Sequence, residues 1–207
     1  GGTLDPLATG ILPIAMGEAT KTIPYIIDNK KEYEFTVRWG VSTSTDDREG
    51  EVVSTSDKRP DRAMIEGVIS SFTGVIEQVP PSFSAIKVAG KRAYDLARKG
   101  EDVVLPAREI KIHDLSLVKI IDDEHAAFHV VSGAGAYMRS LARDLAVALG
   151  TVGHLIKLRR TRVGPFSLDT SISLDELQGF GHIAAVLECL FPIETALDDI
   201  PALALTG

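Results

Sequence analysis

Apolar and polar residues along this chain switch between two spacings, and the switches mark out its elements. Tyr33 to Gly40 (YEFTVRWG) alternates and is rich in aromatic and β-branched residues, which predicts a strand. Val41 to Gly50 loses the alternation and reads as a polar, turn-rich loop before another short strand at Glu51 to Thr55. From Pro60 to Phe72 the apolar residues Met64, Ile65, Val68, Ile69 and Phe72 recur at helical spacing, with Gly74 as the stop. Pro80-Pro81 interrupts the chain. Beyond it Ser84 to Val88 reads as extended, Ala89-Gly90 as a turn and Arg92 to Arg98 as a short helix. Ile110 to Ile121 and Ala126 to Ser132 are further strand candidates. Tyr137 to Leu149 is an amphipathic helix ended by Gly150, and Leu158 to Val163 returns as a strand. Ser173-Leu-Asp-Glu176 matches a capping box and opens a late helix. Near the start, Ile11 to Met16 reads as a short buried segment closed by Gly17. Strands and helices interleave without regular βαβ alternation. The expected class is therefore α+β, with a mixed, largely antiparallel sheet flanked by helices.

Composition narrows the setting. The 207 residues fit one large domain or a domain with an appendage, and 44% apolar content supplies a core. No stretch approaches membrane-spanning length, so no membrane partner is expected. Cys189 is the single cysteine, which rules out an internal disulfide framework and points to a reducing cytoplasm. The histidines His113, His125, His129, His154 and His182 lack metal-site spacing with cysteine or carboxylate, so no metal site is expected.

The net charge of −7 argues at first against a polyanionic partner. Its placement reverses that. Val163 to Gly207 carries seven acids and no Lys or Arg, so this end holds the whole excess and the remainder is balanced. Within the balanced part the bases cluster. Lys87, Lys91, Arg92, Arg98 and Lys99 stand against Asp95, and Arg139, Arg143, Lys157, Arg159, Arg160 and Arg162 against Asp144. Such segregation suits one polyanion-facing side, although solvated basic faces also occur in proteins that bind nothing.

Several residues could carry chemistry. Asp5 is presented in a Gly-rich string and followed by Pro6. Alone, that pair reads as a helix cap or a turn; a carboxylate can also act as a covalent nucleophile. Such a nucleophile must stay ionised, which a nearby cation favours. Arg139 and Arg143, four residues apart, share a helix face that is otherwise a plain basic stripe. Tyr33, by position, is a strand aromatic suited to packing, and Leu158 an ordinary core residue. Asp46, Asp47 and Glu49 lack a cation-binding loop pattern, and the Thr43, Thr45 and Asp46 loop reads as structural.

Taken whole, Gly1-Gly-Thr-Leu-Asp5-Pro-Leu-Ala-Thr-Gly10 through Gly17 resembles the active-site motif of the TruB family of pseudouridine synthases. Three further blocks are similar to the same family in the same order. They are Pro80 to Arg98, Gly135-Ala-Tyr137-Met-Arg139 through Leu145, and His154 through Phe166 with Leu158-Arg159-Arg160. The resemblance implies the pseudouridine synthase fold over residues 1–166, with a basic RNA-gripping insertion at about 80–105. An acidic helical extension follows over 167–207. Relative to that family the sequence opens inside the motif and stops where many relatives continue into a PUA domain, so a fragment is expected. The implied activity is isomerisation of uridine 55 in the T arm of tRNA, without metal or organic cofactor. Asp5 would be the nucleophile and Arg139 its partner. Tyr33 would stack on the flipped uridine, and Tyr137 and Leu158 would line its pocket. Lys87, Lys91, Arg92, Arg98, Arg143, Arg159 and Arg160 would meet the RNA backbone. The resemblance leaves room for two alternatives, the catalytic subunit of a guide-RNA complex and a non-catalytic tRNA chaperone. A monomer is expected.

Overall fold

The structure, a computed structural model, describes residues 2–84, 86–88, 91–94, 105–181 and 183–197. Its centre is a seven-stranded sheet. Along it run β1 (Ala8–Gly10), β10 (Gly153–Val163), β2 (Lys31–Trp39), β9 (His125–Ser132), β8 (Arg108–Asp122) and β5 (Gly74–Gln78), in that spatial order. β11 (Phe166–Ser167) pairs with β10 beside this path. All neighbours are antiparallel except β1 and β10, which run parallel with Ala8 opposite Leu158 and Gly10 opposite Arg160. Two small hairpins lie off the sheet, β3 (Val41–Thr43) with β4 (Val52–Thr55) and β6 (Lys87–Val88) with β7 (Lys91–Arg92).

Alternation builds the core. Tyr33, Phe35, Val37 and Trp39 of β2 point to one side, where they meet Ala126, Phe128 and Val130 of β9 and Leu155 and Leu158 of β10. Phe35 stacks on Phe128 with ring centroids 5.2 Å apart, and Trp39 meets Phe128 edge-on at 6.2 Å. Helix α3 (Met138–Ala148) closes this face with Met138, Leu141, Ala142, Leu145 and Ala146. Its end follows the sequence reading: Gly150 has φ +68°, a conformation that costs glycine little and other residues more. Helix α2 (Arg62–Ile69) adds the fully buried Ile65, and its first turn is capped by the Asp61 carboxylate, which accepts from the Met64 N–H at 2.8 Å.

The remaining pieces sit at one side of the sheet. Helix α1 (Ile23–Asp28) brings Ile26 to a second, smaller core with Ile11, Val163 and Ala196. The acidic end contributes α4 (Leu174–Gly179), capped by the expected Ser173–Glu176 box, and α5 (Ile183–Leu187). Phe191 packs edge-on against Phe166 and ties this end to the small core.

The structure refines the sequence reading in five places. Of the two readings of Asp5-Pro6, a helix cap or a turn, the structure has the turn, which leads into β1 with the Ala8 N–H donating to the Asp5 carbonyl at 2.9 Å. Pro6 fits there because its fixed φ suits the second position of a turn. Of the run Ile11 to Met16, Ile11 is buried but Leu12, Ile14 and Met16 are exposed, because no strand pairs with them once β1 ends. β5 follows directly on the glycine read as a helix stop, and β10 starts five residues before the predicted strand. Arg92 ends β7, Ala93 and Tyr94 directly after it are helical, and the rest of that predicted helix, 95–98, lies outside the described residues.

Candidate active site

Three chain segments far apart in sequence meet at Asp5. The turn at Asp5-Pro6-Leu7-Ala8 lifts its carboxylate above the end of β1, and β1 is held by β10 on its only paired edge. Arg139 arrives from the first turn of α3. Its Nε donates to Asp5 Oδ2 at 2.9 Å and its Nη2 to Asp5 Oδ1 at 3.2 Å, a two-pronged fork that fixes the carboxylate plane. The remaining donors are also used: Nη1 donates to the Thr45 carbonyl at 3.2 Å and Nη2 to the Phe83 carbonyl at 3.0 Å. A basic stripe would leave this side chain in solvent. Instead the Arg139 side chain is 7% exposed, whereas that of Asp5 keeps 26%. The cation is therefore locked and the anion remains reachable.

A second carboxylate stands behind the pair. Asp47 Oδ2 lies 3.7 Å from Arg139 Nε, and its Oδ1 accepts from Thr45 Oγ1 at 2.5 Å and from the Glu49 N–H at 3.0 Å. Asp47 escaped the sequence reading, because nothing in its spacing links position 47 to position 139. The loop that looked merely structural is a scaffold for the guanidinium.

Tyr33 and Leu158 lie beneath, both buried in the main core with Leu7 and Ala8 packed against it. Burial raises the Tyr33 phenol from its ordinary value, and the nearby Arg160 guanidinium, within hydrogen-bonding reach, pulls the other way. Tyr137 is half-buried at the start of α3, and burial raises its phenol as well. Its backbone is clamped by Gln78 at the end of β5. The Gln78 Nε2 donates to the Tyr137 carbonyl at 3.1 Å, and its Oε1 accepts from the Tyr137 N–H at 2.8 Å. The Ser140 hydroxyl donates to the Val79 carbonyl at 2.8 Å and adds a further tie. Gln78 was also missed, hidden in a strand the pattern did not reveal.

The seven predicted backbone-binding bases separate. Arg159 points to solvent. Lys87, Lys91 and Arg92 sit on the β6–β7 hairpin, their side chains outside the described residues along with all of Arg98. Two others are corrections. Arg143 is spent inside the fold: Nε donates to Asp144 at 2.9 Å, Nη1 to Asp46 at 2.8 Å and Nη2 to the Val79 carbonyl at 2.8 Å. Burial raises the Asp46 and Asp144 carboxyls, and Arg143 between them offsets part of that. Arg160 is 1% exposed and beyond the reach of a phosphate, because the strand's alternation puts it on the same side as Leu158. Among the described residues, no group of three or more His, Cys, Asp or Glu side chains is arranged to hold a metal ion. No described helix is long and apolar enough to cross a membrane.

Known proteins share this arrangement of segments. Residues 1–138 match the TruB family pseudouridylate synthase (N terminal domain), and residues 139–198 match the tRNA pseudouridylate synthase B C-terminal domain. The border between the two matches falls inside α3, and β10 of the second lies between β1 and β2 of the first, so both build one sheet. The tRNA pseudouridine synthase B of Rhodospirillum rubrum is 57% identical over 206 residues, covering 100% of this chain and 67% of the relative. That of Caulobacter vibrioides is 55% identical, covering 99% and 66%. The chain thus spans about two thirds of the length of these relatives. Among solved structures, a Cbf5-Nop10-Gar1 complex aligns with a TM-score of 0.71 at 28% identity, covering 95% of this chain and 52% of that one. With the matches running from residue 1 to residue 198 across the shared sheet, the chain belongs to the TruB family of pseudouridylate synthases.

Proposed function

We propose that the protein carrying this chain converts uridine 55 in the T arm of tRNA to pseudouridine, with Asp5 as the nucleophile. The single observation that carries the reading is the asymmetric pair: a carboxylate still open to solvent, forked by an arginine that is not. An ionised oxygen held in one plane and facing outward suits covalent attack. Asp5 attacks the nucleotide at the ribose C1′ or the base C6. The C1′–N1 bond breaks, the uracil turns, a C1′–C5 bond forms, and the bond between Asp5 and the nucleotide breaks to return the free carboxylate. C5 then gives up its proton and N1 takes one, so the product is an isomer of the substrate.

The other roles follow from placement. Arg139 holds the carboxylate. Tyr33 and Leu158 form the apolar floor against which an extruded base rests, and Tyr137 borders it. Taking a base out of its stack costs a few kcal/mol, and stacking on an aromatic returns about 1–3 kcal/mol per base. Arg159 and the bases of the β6–β7 hairpin contact phosphates, which positions the RNA without reading its sequence. The protein works as a monomer in the cytoplasm.

The guide-RNA alternative is weaker. The structural neighbours named for Cbf5 complexes are 25–28% identical, whereas relatives named tRNA pseudouridine synthase B reach 57%. Two measurements test the proposal. Pseudouridine mapping in cells lacking the gene is expected to show loss at the T arm alone. The purified protein is expected to modify unmodified tRNA transcript with no added RNA or protein. Activity that requires a guide RNA favours the alternative, and pseudouridine persisting in the T arm of the deletion strain overturns the assignment.

A further inference from the structure

Arg160 is the largest charged side chain among the fully buried residues of the described structure. It forms no ion pair among the described residues, and burying a cation without a carboxylate beside it is costly. Besides the Tyr33 hydroxyl within its reach, its donors go to backbone carbonyls of a single segment. Nε donates to the Ile11 carbonyl at 2.8 Å, Nη1 to the Thr3 carbonyl at 3.3 Å and Nη2 toward the Gly2 carbonyl at 3.5 Å. The main chain of the same residue completes the clasp, since the Ile11 N–H donates to the Arg160 carbonyl at 2.8 Å. Gly10 has φ +101°, and a Cβ there would stand 2.1 Å from the Arg160 carbonyl oxygen. Both ends of the loop that presents Asp5 are thus tied to one residue, with the Tyr33 phenol beside it.

We propose that Arg160 is a positioning residue that staples residues 2–3 to residue 11 and so sets where the Asp5 carboxylate points. It acts from behind the loop, through the backbone, while Arg139 acts from the front on the side chain. A planar guanidinium spreads five donors over a rigid fork that spans both ends, whereas an ammonium gathers three at a single atom. The inference rests on the reading of Asp5 as the nucleophile.

The test compares Arg160→Lys with the wild-type protein in single-turnover pseudouridine formation and in tRNA binding, with thermal unfolding measured alongside. The expected result is a rate about 10²-fold lower, as for a misplaced reacting group, with tRNA affinity within about twofold. Arg160→Ala supplies a second readout: free guanidinium at sub-denaturing concentration is expected to restore part of its rate. An affinity falling in step with the rate would make Arg160 an RNA contact and overturn the proposal. A rate that is unchanged, or that drops only with the folded fraction and resists guanidinium rescue, would do the same. A wild-type protein that forms no pseudouridine overturns both this inference and the function it rests on.

Discussion

Residues 2–11 and residues 12–16 are neighbours, the second much richer in apolar residues, yet the fold secures the first and leaves the second exposed. The first stretch is paired along β1, clasped by Arg160 and forked by Arg139. The second leaves Leu12, Ile14 and Met16 exposed at 47%, 73% and 58%. Hydrophobicity alone would predict the reverse, since the exposed stretch is the more apolar. What differs is the availability of a backbone partner. β10 offers its edge to residues 8–10 and ends its hold at Ile11, and Pro13 could not donate to a ladder if one were offered. Order around Asp5 therefore comes from hydrogen bonds to the main chain more than from burial of side chains.

That contrast can be broken or sharpened by substitution. The largest effect is expected for Asp5→Asn, which keeps size and polarity but removes the anion. Pseudouridine formation should fall below detection while tRNA binding persists, as read by product assay and filter binding. Normal product from this variant would end the assignment of Asp5. Gly10→Ala comes next. Its Cβ would collide with a strand backbone at a positive φ, so about 2–3 kcal/mol of stability should be lost in denaturant unfolding.

The pinned side also has a pH signature that the loose side lacks. His154 of β10 is buried, its Nδ1 lies 2.7 Å from the Val41 carbonyl, and burial lowers its pKa below the ordinary 6.5. A carbonyl can only accept, so Nδ1 carries the proton of the neutral ring. As pH falls below 6.5 the unfolded chain binds a proton that the folded one resists. Stability should then decline with falling pH, and the decline continues until the folded pKa is passed. His154→Asn should flatten that slope in melts taken between neutral and mildly acidic pH. The smallest effect belongs to Ile14→Ser, expected to change stability by no more than about 0.5 kcal/mol. A larger loss would mean that the exposed run is held after all.

Legibility followed the same divide. Alternation disclosed β2, β8 and β9, and helical spacing disclosed α2 and α3, because each has a buried face long enough to leave a pattern. β1 left none: Ala8-Thr9-Gly10 is three residues of parallel pairing whose partner lies some 150 positions away. β5 was masked by Gly74, which ends one element and begins another. For the site, the motif resemblance singled out Asp5 and Arg139, which the structure brings into contact, but not Asp47 or Gln78, whose importance lies only in whom they touch. Arg160 is the instructive error. The resemblance assigned it to the RNA backbone, whereas the strand's period of two puts it on the same face as Leu158, with its donors on the carbonyls of residues 2, 3 and 11.

β10 lies between two strands that precede it by more than a hundred residues. During synthesis, the segment that bears Asp5 must therefore wait for a strand made about 150 residues later. Until about residue 163 has emerged, β1 has no edge to join, and the Asp5 loop has nothing to fix its shape. Contacts of such long sequence separation form slowly. The nascent chain consequently carries the Asp5 carboxylate unassembled while the residues between β1 and β10 are made, and the loop takes its shape only when β10 arrives.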